Sequence, residues 1–175
     1  GFIAGHPTGD ILTHTYTDNA SRTITVDLVD GDGTFTAAGS LSLTVNNVVP
    51  TVAMTGNATV NEGSLYTLTL GAVTDPGTDT VTSYRVNWGD GTNTGFISGS
   101  PTGDTLTHTY ADNAARTISV DLVDGDGTHT AASTLSMTVN NVAPTVALTG
   151  NATVNEGATY TLNLGAVTDP GTDTE

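Results

Sequence analysis

The sequence has no cysteine and no lysine, and it has only three arginines and a single tryptophan. Without cysteine the fold cannot depend on disulfide bonds or on thiolate zinc sites. Eighteen acidic residues give a net charge of −15, which excludes nucleic acid and anionic membranes as partners because both need a basic surface. No apolar run approaches the ~20 residues that span a bilayer, so we expect no membrane insertion.

The dominant feature that is present is an internal repeat. Residues 1–81 align without a gap with residues 95–175, a shift of 94 positions, and only 16 of the 81 pairs differ. Pro50-Thr51-Val52 returns as Pro144-Thr145-Val146, and Asn61-Glu62-Gly63 returns as Asn155-Glu156-Gly157. A period of this length is typical of a complete sandwich domain rather than of a short solenoid unit.

The domain boundaries do not coincide with the ends of the chain. Segments 46–50 and 140–144 are interpreted as linkers, since each separates two alternating runs and contains a proline that cannot extend a β-ladder. We therefore predict the C-terminal part of one repeat in 1–48, a complete repeat in 49–142 and the N-terminal part of another in 143–175. The simplest account is a piece of a longer polymer. The alternative is that the terminal pieces complete each other between neighbouring chains.

Alternating apolar residues predict short β-strands in the complete repeat, separated by turns rich in glycine, aspartate, asparagine and proline. The apolar runs are Val52–Met54, Tyr66–Leu70, Tyr84–Trp88, Leu106–Tyr110, Ile118–Leu122 and Leu135–Val139. Seven or so such strands predict an all-β fold of tandem immunoglobulin-like, antiparallel Greek-key sandwiches. We expect Trp88 in the core and Tyr110 as a corner tyrosine whose hydroxyl bonds to the backbone.

An ordered set of motifs resembles a known family. The motifs are Trp88-Gly89-Asp90-Gly91, His108-Thr109-Tyr110 and Val120-Asp121-Leu122-Val123-Asp124. In these motifs residues 82–142 are similar to PKD domains, with a departure at Asn87, where many members carry aspartate. The resemblance implies an extracellular immunoglobulin-like module, often in tandem, that serves in spacing, adhesion or protein contacts. Similar repeats occur in very large bacterial surface proteins, so we expect an extracellular or bacterial cell-surface location.

The acidic side chains are concentrated in the loops at the two ends of the predicted sandwich. Modules stacked end to end would bring these like charges together. Calcium would compensate them, because it binds about six to eight oxygen ligands from carboxylates and backbone carbonyls. We therefore predict calcium at or near the module junctions. The candidate ligands are Glu62, Asp75, Asp79, Asp90, Asp112, Asp124, Asp126, Asp169 and Asp173.

The same acids also have a plainer interpretation. Aspartate and glycine are ordinary turn formers, and Asp90 can accept hydrogen bonds from the backbone amides of its own loop. Solvated acids also keep edge strands from pairing with the wrong partner. Both interpretations are open at the level of sequence.

The repeat predicts a protein that is not an enzyme. His14 and His108 occupy equivalent positions, but no serine or cysteine nucleophile accompanies them, and nearly identical repeats offer no differentiated active site. We expect a structural repeat of a long extracellular bacterial filament or surface stalk, with other copies of the repeat as partners.

Two other functions stay open. One is an adhesin or a module that binds surface glycans or proteins, and the other is an accessory domain of a secreted hydrolase. A glycan-binding module would show an exposed row of aromatic side chains. The nine aromatic residues here mostly alternate into the predicted core, which favours the spacer.

Overall fold

The computed structural model describes Gly5 and residues 8–172. These residues form twelve β-strands and none of them lies in a helix, which confirms the all-β prediction. No helix long and apolar enough to span a bilayer occurs in this described part of the chain. The strands are β1 (Ala20–Asp30), β2 (Gly33–Val45), β3 (Thr51–Gly56), β4 (Thr59–Asn61), β5 (Leu65–Thr74), β6 (Ser83–Asn87), β7 (Ile97–Ser98), β8 (Thr105–Thr109), β9 (Ala114–Asp124), β10 (Gly127–Asn140), β11 (Thr145–Gly150) and β12 (Leu162–Thr168).

Strands β3 to β10 form a sandwich of two sheets, which lies within the predicted complete repeat 49–142. One sheet has the strand order β4-β10-β9-β6-β7, and the other has the order β3-β5-β8. Every second side chain of these strands points between the sheets, as the pleat requires. The buried core consists of Val52, Tyr66, Leu68, Leu70, Tyr84, Val86, Trp88, Tyr110, Ile118, Val120, Leu122, Met137 and Val139. All six predicted apolar runs contribute to this core or pack against it, and Trp88 is 3% exposed.

The strand β4 was not predicted from the sequence. Its three residues pair in parallel with the end of β10, with Val60 opposite Val139, while the other pairs in this sheet are antiparallel. Such a short segment between turn residues shows no period-two pattern. The pairing matters because it places Glu62, the next residue after β4, beside the point where the chain leaves the sandwich.

The repeated sequence forms two further hairpins, which belong to different compact units. Residues 1–48 with 75–79 make up one unit, which contains the β1–β2 hairpin, and the rest of the chain makes up the other, which contains β11–β12. The register of β1–β2 repeats that of β9–β10 at a shift of 94, and β11–β12 repeats β3–β5 in the same way. The backbone pairing is therefore encoded in the repeat itself.

Side-chain burial differs sharply between the copies. Leu122 and Leu70 of the complete repeat are 0% exposed, whereas their counterparts Leu28 and Leu164 are 45% and 70% exposed. The strand pairing is the same in each case, so the difference arises from the opposite sheet, which covers the apolar face only in the complete repeat. Each outer hairpin therefore has an uncovered apolar face.

A bulge in the β9–β10 hairpin also recurs. Ala131 has a φ of 50°, in the left-handed region, and its amide donates to Asp121 Oδ1 at 2.8 Å. In the β1–β2 hairpin Ala37 has a φ of 52°, and its amide donates to Asp27 Oδ1 at 2.7 Å. The carboxylate gives the bulged amide a partner that the ladder cannot supply, so the bulge is stable without glycine.

Candidate functional site

Glu62 lies at the end of the complete repeat from which residues 140–144 continue the chain, here called the linker end. Its amide donates to the Asn140 carbonyl at 3.0 Å. The side chain is 1% exposed, and Oε1 accepts the Val142 amide at 2.6 Å. Oε2 is also buried and has no hydrogen-bond partner among the described residues. The carboxyl thus attaches the linker to the sandwich and leaves one oxygen unsatisfied, which is costly for a buried polar atom.

The loop that follows β12 contacts the same linker end. A Cβ added to Gly171 would lie 2.8 Å from the carboxyl carbon of Glu62, so the glycine packs directly on the acid. The Thr172 amide donates to the Ala111 carbonyl at 2.9 Å. Asp169 Oδ1 accepts the Gly171 amide at 3.0 Å and thereby closes its own turn. Two of the predicted ligands, Glu62 and Asp169, therefore lie at one junction.

Asp90 belongs to a stacked cluster near the same end. Its Oδ2 lies 2.6 Å from His108 Nε2, and its Oδ1 accepts the Thr92 amide at 2.9 Å and the Thr92 hydroxyl at 2.6 Å. The His108 ring stacks on Trp88 with a centroid separation of 4.8 Å and an interplanar angle of 9°. The cluster anchors the turn after β6 to β8.

These contacts change the acidity of Asp90. Burial raises its pKa, but the hydrogen bonds from Thr92 and His108 and the charge of His108 outweigh burial and lower the pKa from 3.8 to about 2. The hydroxyl of the cluster belongs to Thr92 and bonds to the acid rather than to the imidazole. This differs from the nucleophile–histidine–acid order of hydrolases, so the cluster is organised as a turn anchor.

Tyr110 confirms the predicted corner tyrosine. It is fully buried, and its hydroxyl donates to the Trp88 carbonyl at 3.0 Å. Burial, together with the charge of Asp90, raises its pKa to about 12, so the hydroxyl keeps its proton and remains a donor. The bond attaches the end of β8 to the turn that carries the predicted ligand Asp90.

Asp124 and Asp126 occupy the turn between β9 and β10. Asp124 Oδ1 accepts the Asp126 amide at 2.9 Å, and both its carboxylate oxygens lie 2.9 Å from His129 Nε2. The equivalent of His129 in the β1–β2 hairpin is Phe35. The pair of Asp124 with a histidine is therefore particular to the complete repeat.

The remaining predicted ligands lie in separate loops. Asp75 Oδ1 accepts the Gly77 amide at 3.1 Å, while its Oδ2 is buried without a hydrogen-bond partner in the part of the chain that the structure describes. A Cβ added to Gly77 would lie 3.7 Å from Asp79 Oδ2, in the same loop. The side chain of Asp112 is exposed, and its carbonyl accepts from Arg116 at 3.2 Å.

Within Gly5 and residues 8–172, no three histidine or acidic side chains converge in a way that could hold a metal ion. Asp173 lies outside the described residues. Asp75, Asp90, Asp124 and Asp169 each accept the amide two residues further along the chain, the geometry of an Asx turn. Turn formation therefore accounts for one oxygen of each of these acids.

Sequence reasoning missed the role of Asp121, which is 2% exposed. Its Oδ2 accepts from Arg85 Nε at 2.9 Å and from Asn87 at 3.2 Å, and Ala131 bonds to its other oxygen. Burial raises the pKa of Asp121, but the hydrogen bonds from Ala131, Arg85 and Asn87 outweigh it and lower the pKa. In the alternating pattern of β9, Asp121 occupies a position that is expected to face solvent. The only signal in the sequence that it is paired is Arg85, which lies opposite it on β6. Asn87 thus acts as a donor to this acid.

The two-sheet sandwich, its corner tyrosine and its Greek-key strand order define an immunoglobulin-like β-sandwich module. A family model for the PKD domain matches residues 47–139, slightly more than half of the chain. The chain belongs to the PKD domain family. PKD domains are in general non-catalytic structural or binding modules, and they typically occur in extracellular or secreted proteins.

Among solved structures, the chain is similar to the PKD domain of an M14-like peptidase from Thermoplasmatales archaeon SCGC AB-540-F20. The two are 26% identical, with a TM-score of 0.44, and the match covers 54% of this chain and 98% of that one. No curated protein matches the chain significantly.

Proposed function

We propose that the chain is a non-catalytic structural repeat of a long extracellular bacterial filament or surface stalk, with PKD modules stacked end to end. The supporting observation is the burial difference between copies of one sequence. Leu28 and Leu164 are exposed, but their counterparts Leu122 and Leu70 form the centre of a sandwich core. An array in which each hairpin joins the rest of its own module covers these apolar faces, which are otherwise costly in water.

Electron microscopy of the native material tests this proposal. An array of stacked modules gives regular filaments or stalks with an axial repeat that corresponds to one module. Material that shows neither regular filaments nor strings of modules contradicts the proposal and favours an isolated binding or accessory domain. Flexible strings support a stalk but contradict a stiff filament.

Adhesion is the weaker alternative, because large exposed aromatics are few. The exposed ones among the described residues are Phe35, Phe96 and Tyr160, and they belong to different hairpins or loops. Arg85 covers the Phe96 ring at 4.8 Å. Glycan arrays with the 175-residue chain test this function, and specific binding would support it.

Calcium at the junctions is a separate proposal. Its support is that Glu62 Oε2 and Asp75 Oδ2 are buried oxygens without hydrogen-bond partners, and hard oxygen donors suit calcium. Since no three described acids or histidines converge, backbone carbonyls and water would have to supply the remaining ligands. Thermal melting with calcium and with EDTA tests it. A higher midpoint with calcium supports the proposal, and an unchanged midpoint contradicts it.

A further inference from the structure

The loop that follows β12 and the turn that follows β4 meet in a close contact between two consecutive repeats. We propose that this contact is the coupling element of the array: the Asp-Pro-Gly-Thr loop near the start of one repeat binds the Asn-Glu-Gly turn of the repeat before it. The loop is residues 169–172, and the turn is Asn61-Glu62-Gly63. The inference rests on the proposed end-to-end array, because it assigns the surface through which neighbouring modules hold each other.

The contact depends on a glycine from each repeat. A Cβ added to Gly171 would lie 2.8 Å from the Glu62 carboxyl carbon and 3.0 Å from each carboxylate oxygen. A Cβ added to Gly63, whose φ is 72°, would lie 2.9 Å from the Pro170 Cβ and 3.1 Å from the Pro170 carbonyl oxygen. The distances of 2.8 Å and 2.9 Å are shorter than the contacts that real Cβ atoms make. The absence of a side chain on each glycine is therefore what allows the loop to reach the turn.

A backbone hydrogen bond fixes the orientation of the loop. The Thr172 amide donates to the Ala111 carbonyl at 2.9 Å, next to the corner tyrosine Tyr110. The Tyr110 carbonyl in turn accepts the Gly63 amide at 2.9 Å. The loop therefore binds a surface that is already rigid, because that surface is bonded to the end of β8 and to the turn after β4.

The linker is attached to the same point. Glu62 Oε1 accepts the Val142 amide, so the buried carboxyl bonds to the linker while the following repeat packs on its other side through Gly171. One side chain therefore contacts the turn, the linker and the following repeat. Rotation about the linker would have to break the Thr172 bond and separate Gly171 from Glu62.

Each repeat carries both halves of this contact. The loop sequence occurs at 75–78 and 169–172, and the turn sequence occurs at 61–63 and 155–157. A contact between two different surfaces of the same module is heterologous, and when its rotation does not close it propagates as an open chain of modules. The partner that we propose for the turn at 155–157 is therefore the loop of a further copy of this repeat.

The 175-residue chain offers a matched pair of variants. In Gly171→Ala the new methyl group collides with Glu62. In Gly77→Ala, at the equivalent position of the other loop copy, the nearest atoms to the new methyl group are Asp75 Oδ1 at 3.5 Å, Asp79 Oδ2 at 3.7 Å and the Asp79 amide nitrogen at 3.8 Å, which are ordinary contacts. Neither glycine has a positive φ, so the backbone conformation at both positions is one that alanine adopts without strain.

Amide hydrogen exchange by NMR measures the contact. In the unmodified chain we expect the Thr172 amide to be protected. Gly171→Ala should accelerate its exchange roughly tenfold or more, because the hydrogen bond to Ala111 opens. Gly77→Ala should leave it unchanged, and in both variants the amides of β9 should keep their protection, since the sandwich core is not altered.

The proposed coupling is refuted if the Thr172 amide of the unmodified chain exchanges as fast as that of an unstructured peptide, or if Gly171→Ala leaves the exchange unchanged. As a second measurement, 15N relaxation should show β11–β12 tumbling with the sandwich in the unmodified chain and independently of it in Gly171→Ala. A regular array with an unprotected Thr172 amide would refute the coupling alone. A protected Thr172 in a native protein without axial repeat would refute the array alone.

Discussion

At the scale of single residues, the two copies of the repeat supply their own controls. Tyr110 is buried and its hydroxyl donates to the Trp88 carbonyl, whereas the equivalent Tyr16 is half-buried and contacts His14 edge to face. The same substitution in the two copies therefore separates the effect of the buried hydrogen bond from that of the tyrosine ring.

We predict that Tyr110→Phe lowers the free energy of unfolding by about 1–3 kcal/mol, because the Trp88 carbonyl loses its buried donor. Tyr16→Phe should change it by less than about 0.5 kcal/mol. Denaturant unfolding followed by Trp88 fluorescence reports on the complete repeat in both variants. Equal effects of the two substitutions would contradict the role of the hydroxyl.

Asp90 predicts a specific loss of stability in acid. Its pKa in the folded chain is about 2, below the ordinary 3.8, so the ionised carboxylate stabilises the fold. This contribution, about 2 kcal/mol, is fully present above about pH 5 and is lost as the pH falls through 4 towards 2. Asp90→Asn should lower the free energy of unfolding at pH 7 and reduce its change between pH 5 and pH 2.

The control for this prediction is Asp112→Asn, because the side chain of Asp112 is exposed. Urea unfolding at several pH values measures both variants. If Asp90→Asn follows the same pH dependence as the unmodified chain, the bonds from Thr92 and His108 do not stabilise the carboxylate.

Some residue roles could be predicted from the sequence and others could not. The burial of Trp88 and Tyr110 was predicted because each occupies an apolar position of an alternating strand, where a large aromatic side chain packs into the core. The pairing of Asp90 with His108 joins two elements 18 residues apart and leaves no periodic signal. The burial of Glu62 was also missed, because an acid in a turn ordinarily faces water, and the groups that contact its carboxyl, Gly171 and the Val142 amide, are distant in sequence.

At the scale of strands and hairpins, local sequence determines pairing, but packing decides burial. The hairpins β1–β2 and β9–β10 have the same register and the same bulge. Their apolar alternation predicts which face is buried, but the side chains are buried only where an opposite sheet covers that face. Cross-strand pairing and inter-sheet packing are therefore separable contributions in this chain.

We predict that Leu122→Ala destabilises the complete repeat by about 2–5 kcal/mol, since it opens a cavity between the sheets. Leu28→Ala, at the equivalent position of the β1–β2 hairpin, should cost less than about 1 kcal/mol because that side chain is already partly in water. Thermal and denaturant unfolding monitored by Trp88 compare the two. A large effect of Leu28→Ala would indicate that β1–β2 is covered in solution.

The strands were predictable where they were long and alternating. β5 and β9 show a clear period of two, and the structure confirms them. β4 and β7, with three and two residues, are too short to show any period and depend on a neighbouring strand. The parallel pairing of β4 is set by the path of the chain between the sheets, which no local pattern encodes.

At the scale of the whole molecule, the exposed apolar hairpins of the repeat favour association between copies, whereas the negative charge opposes it. A net charge of −15 repels neighbouring copies and disfavours disordered association through the exposed apolar hairpins. The contacts at the linker end are mainly glycine, proline and backbone groups, with Glu62 bonded to an amide. In the array that we propose, association is therefore most favourable where the backbone fits closely and little new charge is brought together.

We expect the apolar face of β11–β12 to be covered when the module that we propose to begin at residue 143 is completed. We predict that a chain extended after Glu175 by a second copy of residues 82–142 folds β11–β12 into a full sandwich. The amides of these strands should then exchange as slowly as those of β3–β5, and the exposed Leu148 and Leu164 should become as buried as Met54 and Leu70. An extension of the same composition in scrambled order is the control. If both extensions leave β11–β12 equally exposed, the repeat does not define a module boundary near residue 142, and the end-to-end array loses its structural basis.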